Sequence, residues 1–180
     1  MNEMIEKALN DEPLLIFSFY TVNQIGTLQS LGNEITEMLN ASITVQENGE
    51  IRFEKFTKLY GLFWLWTLGA YEVIHTMASA KGCFLINVRQ RLEKLSKKLA
   101  KIRAPFAKQK ISGLEIPTPG EPSVSGLDGK KKDISFFIQG ETYWARSLIN
   151  EFSELVKSIR REDVLMSFPD YIRSKNRGKT

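Results

Sequence analysis

Glu72-Val-Ile-His75 places a carboxylate and the chain's single imidazole one helical turn apart, so both share a face if the segment is helical. Di-iron helix bundles use Glu-x-x-His in this way, but they need the motif twice together with further carboxylates. With one histidine and one cysteine, Cys83, a tetrahedral zinc site would have to be built mostly from carboxylates. A Ser-His-Asp or Cys-His arrangement would also have to recruit His75, and no glycine-flanked turn marks a nucleophile. The phosphate-cradling Gly-x-x-x-x-Gly-Lys-Ser/Thr loop is absent. These residue types call for no metal and no cofactor, and they leave His75 as a hydrogen-bonded helix histidine in the core or at its edge.

Charge is the more distinctive chemistry. Residues 81–110 hold ten of the chain's 25 basic side chains and one acid, Glu93, whereas residues 1–80 carry four basic and ten acidic ones. Arg89, Arg91, Lys94, Lys97, Lys98 and Lys101, extended by Arg103, Lys108 and Lys110, are candidate nucleic-acid contacts. Each phosphate neutralised by such a cation releases counterions and adds salt-dependent affinity. Only Phe84 and Phe106 flank this stretch, so contact with the backbone is expected rather than base readout or stacking. RNA or DNA is the expected partner and an acidic protein the alternative. The plainer possibility is a solvated face, or one paired with the acids of residues 1–80 across the fold. Lys130-Lys-Lys132, beside a turn, reads as a solvated loop tip.

The basic side chains need a scaffold, and the apolar residues among them supply one. Leu85, Val88, Leu92, Leu95, Leu99 and Ile102 repeat at 3-4-3-4-3 spacing, the seam of a helix packed along its length on another. This predicts a helix over about 83–102, ending near Arg103 because Pro105 disfavours helical geometry in the residue before it. Asp11-Glu-Pro13 reads as a helix start, with Val22, Ile25, Leu28, Leu31, Ile35 and Met38 keeping the period to Leu39. Gly26 and Gly32 within it suggest close packing. A third helix is expected over 54–79, buried all round because aromatic residues lie on several of its faces, and a fourth over 145–160. Asn48-Gly49 between short β-prone runs predicts a hairpin over 43–53, and a second is expected over 134–144. Together these describe a mainly α, four-helix-bundle-like single domain over 1–168 with one or two small β-hairpins. It carries a long Pro/Gly-rich loop at 112–133 and a basic flexible tail at 169–180.

Arg103-Ala-Pro-Phe-Ala-Lys108-Gln109, following long helices, resembles the motif of HEPN domains, all-helical bundles found in RNA-cleaving toxins and in defence and CRISPR-linked proteins. In that family an Arg, a spacer of four to six residues and a His meet across a dimer to cleave RNA without metal. The resemblance gives Arg103 that role and places Gln109 where the family has His. Gln can hydrogen-bond a phosphate but cannot shuttle a proton near neutral pH. It therefore implies an inactive or repurposed member.

The apolar run Leu59–Tyr71 spans thirteen residues, short of the roughly 20 that cross a bilayer, so no membrane association is expected. With no signal-peptide pattern and a single cysteine, a cytoplasmic location is expected. The composite expectation is a non-enzymatic, helix-bundle nucleic-acid-binding module working through residues 83–110. Its alternatives are a HEPN-like ribonuclease acting as a homodimer, and an adaptor or oligomerisation subunit engaged in protein–protein interaction.

Overall fold

The 3-4 repeat of the basic segment sets the axis of the molecule. In the computed structural model, which describes residues 3–108 and 124–177, that segment is helical from Ile86 to Lys108. Val88, Leu92, Leu95, Leu99 and Ile102 are buried along its inner face. Each such side chain removed from water contributes about 1.5–3 kcal/mol.

In chain order, the described residues form α1 (Glu3–Asp11), α2 (Leu14–Phe17), α3 (Phe19–Ser42), the pair β1 (Ile43–Val45) and β2 (Ile51–Phe53), α4 (Phe56–Ser79) and α5 (Ile86–Lys108). There follow β3 (Gly126–Asp128), β4 (Asp133–Ile138), β5 (Glu141–Trp144), α6 (Ala145–Lys157), a 3-10 turn at Arg161–Asp163 and α7 (Phe168–Arg177). Helix α4 packs between α3 and α5, and α6 touches both α3 and α5, which closes a ring of four helices. The fold is thus mainly α with two small antiparallel sheets, ordered β1-β2 and β3-β4-β5.

Both hairpins turn on backbone geometry that their residues permit. Gly49 takes φ 82°, and Asn48 Oδ1 accepts the amide of Glu50 at 2.9 Å. Gln139 and Gly140, at φ 52° and 80°, join β4 to β5, positive at both central positions as a tight hairpin turn requires. Strand β3 adds a third member that the sequence had assigned to the long loop, with Leu127 opposite Ile134. Residues 112–123 of that loop lie outside the described residues.

Four expectations change. Leu85 is not part of the seam; it is 37% exposed and precedes the helix, its amide donating to Asp163 O at 3.0 Å. Helix α5 does not end at Arg103. Pro105 lies inside it, and Phe106 continues the apolar stripe onto Tyr60, Phe63 and Phe136, with ring centroids 5.7, 6.3 and 5.5 Å away. That packing outweighs the local preference of a residue before proline. Helix α4 is not buried all round, since Trp64 and Leu65 are 38% and 51% exposed. Finally, residues 168–177 are a helix rather than a tail. Phe168 sits 5.4 Å from Phe17, and the Tyr171 hydroxyl donates to Ser79 O at 3.1 Å.

The N-terminal part also differs in its breaks. Ser18, extended at φ −168°, separates α2 from α3 and accepts the amide of Thr21 at 3.2 Å as the cap of α3. Gly32 does mark a close approach: a Cβ there would lie 2.8 Å from Ile149 Cγ2. Gly26 faces open space.

Candidate anion-binding face

The seam fixes which way the cations of α5 project. Because Val88, Leu92, Leu95, Leu99 and Ile102 point inward, Lys94 and Lys97 stand exposed, with Lys98 and Lys101 half-buried at the boundary with α6 and β5. The seam is thereby buried within the chain's own core.

The basic residues divide by what they touch. Lys98 Nζ lies 2.5 Å from Glu151 Oε2, and Lys101 Nζ 2.8 Å from Glu141 Oε1. Arg103 pairs with Glu72 at 3.1 Å, and its guanidinium lies 4.9 Å from the centre of the Tyr71 ring. Arg89 meets Glu93 on its own helix at 3.6 Å. Arg91 instead donates to the neutral Ser158 hydroxyl at 2.7 Å. Lys94 and Lys97 have no ion pair among the described residues. The backbone at Lys108 is helical, its side chain is outside the described set, and Gln109 and Lys110 lie wholly outside it.

These pairs differ from the expected ones. Of the acids in residues 1–80, only Glu72 meets a cation of α5 among the described residues, while Lys98 and Lys101 are answered from α6 and β5. Glu141 is drawn below the usual carboxylate range, chiefly by the hydrogen bond from Lys101 and then by that from the Tyr143 hydroxyl. The Tyr143 hydroxyl is pushed up by burial, then by its hydrogen bond to Glu141 and that group's charge.

Two clefts open along α5. The first, about 580 Å³, runs between α5 and the β5–α6 corner; Lys94, Lys97, Lys98 and Lys101 face Glu93, Glu141 and Glu151 there, with Gln90 and Tyr143 completing the wall. Four lysines against three glutamates leave the cleft cationic, and the excess is carried by Lys94 and Lys97, which have no carboxylate partner among the described residues. The second, about 450 Å³, lies between α4 and α5 and is lined in part by Tyr71, His75, Lys81, Ser96 and Lys97. Glu93 and Lys97 line both.

His75 occupies the second cleft as an exposed residue, outside the core. Its ring stacks on Tyr71 with centroids 5.1 Å apart and planes 13° from parallel, and Nδ1 is 3.4 Å from Ser96 Oγ. Glu72, the other member of the Glu-x-x-His pair, is engaged by Arg103. No cluster of three or more metal-ligating side chains occurs among the described residues, and none of their helices is long and apolar enough to cross a membrane.

Sequence reading missed Glu141, Tyr143 and Glu151 as parts of this face, as it missed Tyr71. No local motif marks them, because they arrive from other elements through the fold. What the fold and the site define together is a mainly α bundle with a cationic helix flanked by two clefts. No family model matches the chain, and no curated protein or solved structure matches it either.

Proposed function

We propose that the chain is a non-enzymatic helix-bundle module that binds the phosphate backbone of RNA or DNA along the outer face of α5. The observation that carries this is the pair Lys94 and Lys97, exposed, one turn apart and without a carboxylate partner among the described residues, at the rim of a cleft that also holds Lys98 and Lys101. Cations already satisfied by internal acids gain little from a phosphate, whereas unpaired ones exchange only water and counterions for it. Lys94, Lys97 and Arg91 are therefore the primary contacts. Lys98, Lys101 and Arg103 contribute once their carboxylate partners are displaced.

Reversing the two unpaired lysines tests this. K94E/K97E is expected to weaken binding of a labelled RNA strand about tenfold or more and to lower the salt slope by about 1–2. Both positions are solvent-facing, so the far-ultraviolet dichroism should be unchanged. Equal affinity of the variant and the parent for every nucleic acid would refute the proposal.

A second reading has its own support. The internal pairs of Lys98 with Glu151 and Lys101 with Glu141 place carboxylates against this face, a chemistry that would suit an acidic protein as well as a phosphate chain. In that case the same double variant would lose an acidic protein partner while nucleic acids failed to bind the parent.

A further inference from the structure

The cleft between α4 and α5 combines groups that separately recognise the two halves of a nucleotide. One wall carries the stacked rings of Tyr71 and His75, and the Arg103 guanidinium, outside the lining itself, extends this row at 4.9 Å from the Tyr71 ring centre. Tyr71 is half-buried and His75 is exposed, so His75 is the member of the row with ring surface open to a ligand. Ser96 Oγ, 3.4 Å from His75 Nδ1, orients that ring from α5. Lys81 and Lys97 bring cations to the same cleft. Its volume, about 450 Å³, falls in the range of small-molecule sites.

Lys97 also lines the neighbouring lysine cleft. A chain whose phosphates follow Lys94 and Lys97 thus passes the mouth of the aromatic cleft. In a duplex the bases are paired and stacked on each other, with no face to offer; in a single strand each base presents a π-face. Stacking on aromatic rings beside a cationic groove is how strands are held without sequence preference. Backbone contact is the mode expected of α5 from its sequence because the aromatic residues of its basic stretch, Phe84 and Phe106, lie only at its two ends. The fold supplies the rings from α4.

We propose that the α4–α5 cleft receives an unpaired nucleobase stacked on His75, making the partner a single strand; this rests on the backbone-binding role of α5. Lys97 holds the adjoining phosphate and Arg103–Tyr71 backs the ring. Glu93, the acid shared by both clefts, is partly neutralised by Arg89 at 3.6 Å.

The test compares a labelled oligothymidylate, an oligouridylate, an abasic deoxyribose-phosphate strand of equal length and a duplex, each with the parent, H75A and H75F. The parent is expected to hold the two base-bearing strands more tightly than the abasic strand by about fivefold to a hundredfold. H75A should remove that advantage and leave the abasic affinity unchanged. H75F, which keeps a ring and no charge, should restore it.

Equal affinity of the parent for the base-bearing and abasic strands would overturn the base site and leave the backbone role standing. So would a parallel loss of both in H75A. A duplex bound more tightly than any single strand would overturn it as well. Failure of the parent to bind any strand would overturn both proposals together.

Discussion

Lys98 and Lys101 belong to the same basic run as Lys94 and Lys97, yet they differ in what surrounds them. Two carboxylates, Glu151 and Glu141, are already within ion-pair distance of the first two, and none of the described acids reaches the second two. Glu141 is the more informative partner because Lys101 and Tyr143 both hydrogen-bond it. Its folded-state pKa is lowered, so the pair stabilises the fold above the ordinary glutamate range and loses that effect as pH falls through the lowered value. A carbon-13 titration should therefore give Glu141 a midpoint under the ordinary 4.5; a midpoint at or above it would mean that the Lys101 contact does not persist in solution. E141Q, which removes the charge and frees Lys101, should tighten nucleic-acid binding. Weaker binding would show that Glu141 orders the lysines rather than competing for them. None of this was legible from the sequence, where Glu141 looked like one more polar residue in a hairpin turn.

Helix spacing, by contrast, was largely readable. The inward face of α5 follows from the 3-4 repeat alone, and five of its six seam residues are buried as that repeat requires. The ends were harder. Local rules stop the helix before Pro105, but Phe106 finds three aromatic neighbours and the chain stays helical to Lys108. At the other end Leu85 fits the repeat and is drawn out of it by its bond to Asp163. The glycines of α3 make a matching contrast. Gly26 opens on empty space, so G26A should gain about 0.5–1 kcal/mol from helix propensity. At Gly32 a methyl would strike the β-branched Ile149 at 2.8 Å, and overpacking of about 1–3 kcal/mol should outweigh the same gain. Thermal unfolding of both variants checks this: a higher midpoint for G26A and a lower one for G32A are expected, and the reverse order would refute the packing of α3 on α6.

At the scale of the molecule, segments far apart in sequence meet around Cys83. Phe84 packs on Phe17 at 4.9 Å, Phe17 on Phe168, and Leu165 donates its amide to Cys83 O at 2.9 Å. The Cys83 thiol is buried, its sulfur 3.7 Å from Ser167 O, and burial pushes its pKa up to about 11. Since the thiolate is the reactive form, a maleimide at about pH 8 should label the folded protein only as fast as it opens, and denaturant should accelerate labelling steeply. Rapid labelling of the native chain would show that α7 does not close over this region. The apolar composition made a single buried core legible in the sequence. Its closure by α7 was not, because a polar stretch with four basic residues gives no sign that Phe168 and Tyr171 will anchor it.

The central claim is that the outer face of α5 engages nucleic-acid phosphates, and the salt dependence of binding by the parent protein tests it most directly. Fluorescence anisotropy with labelled single-stranded RNA, duplex RNA and duplex DNA, at about 50 and 200 mM salt, is the measurement. Saturable binding at the lower salt that weakens steeply at the higher is predicted, with the single strand preferred. Absence of binding at the lower salt, or an affinity indifferent to salt, would contradict the account.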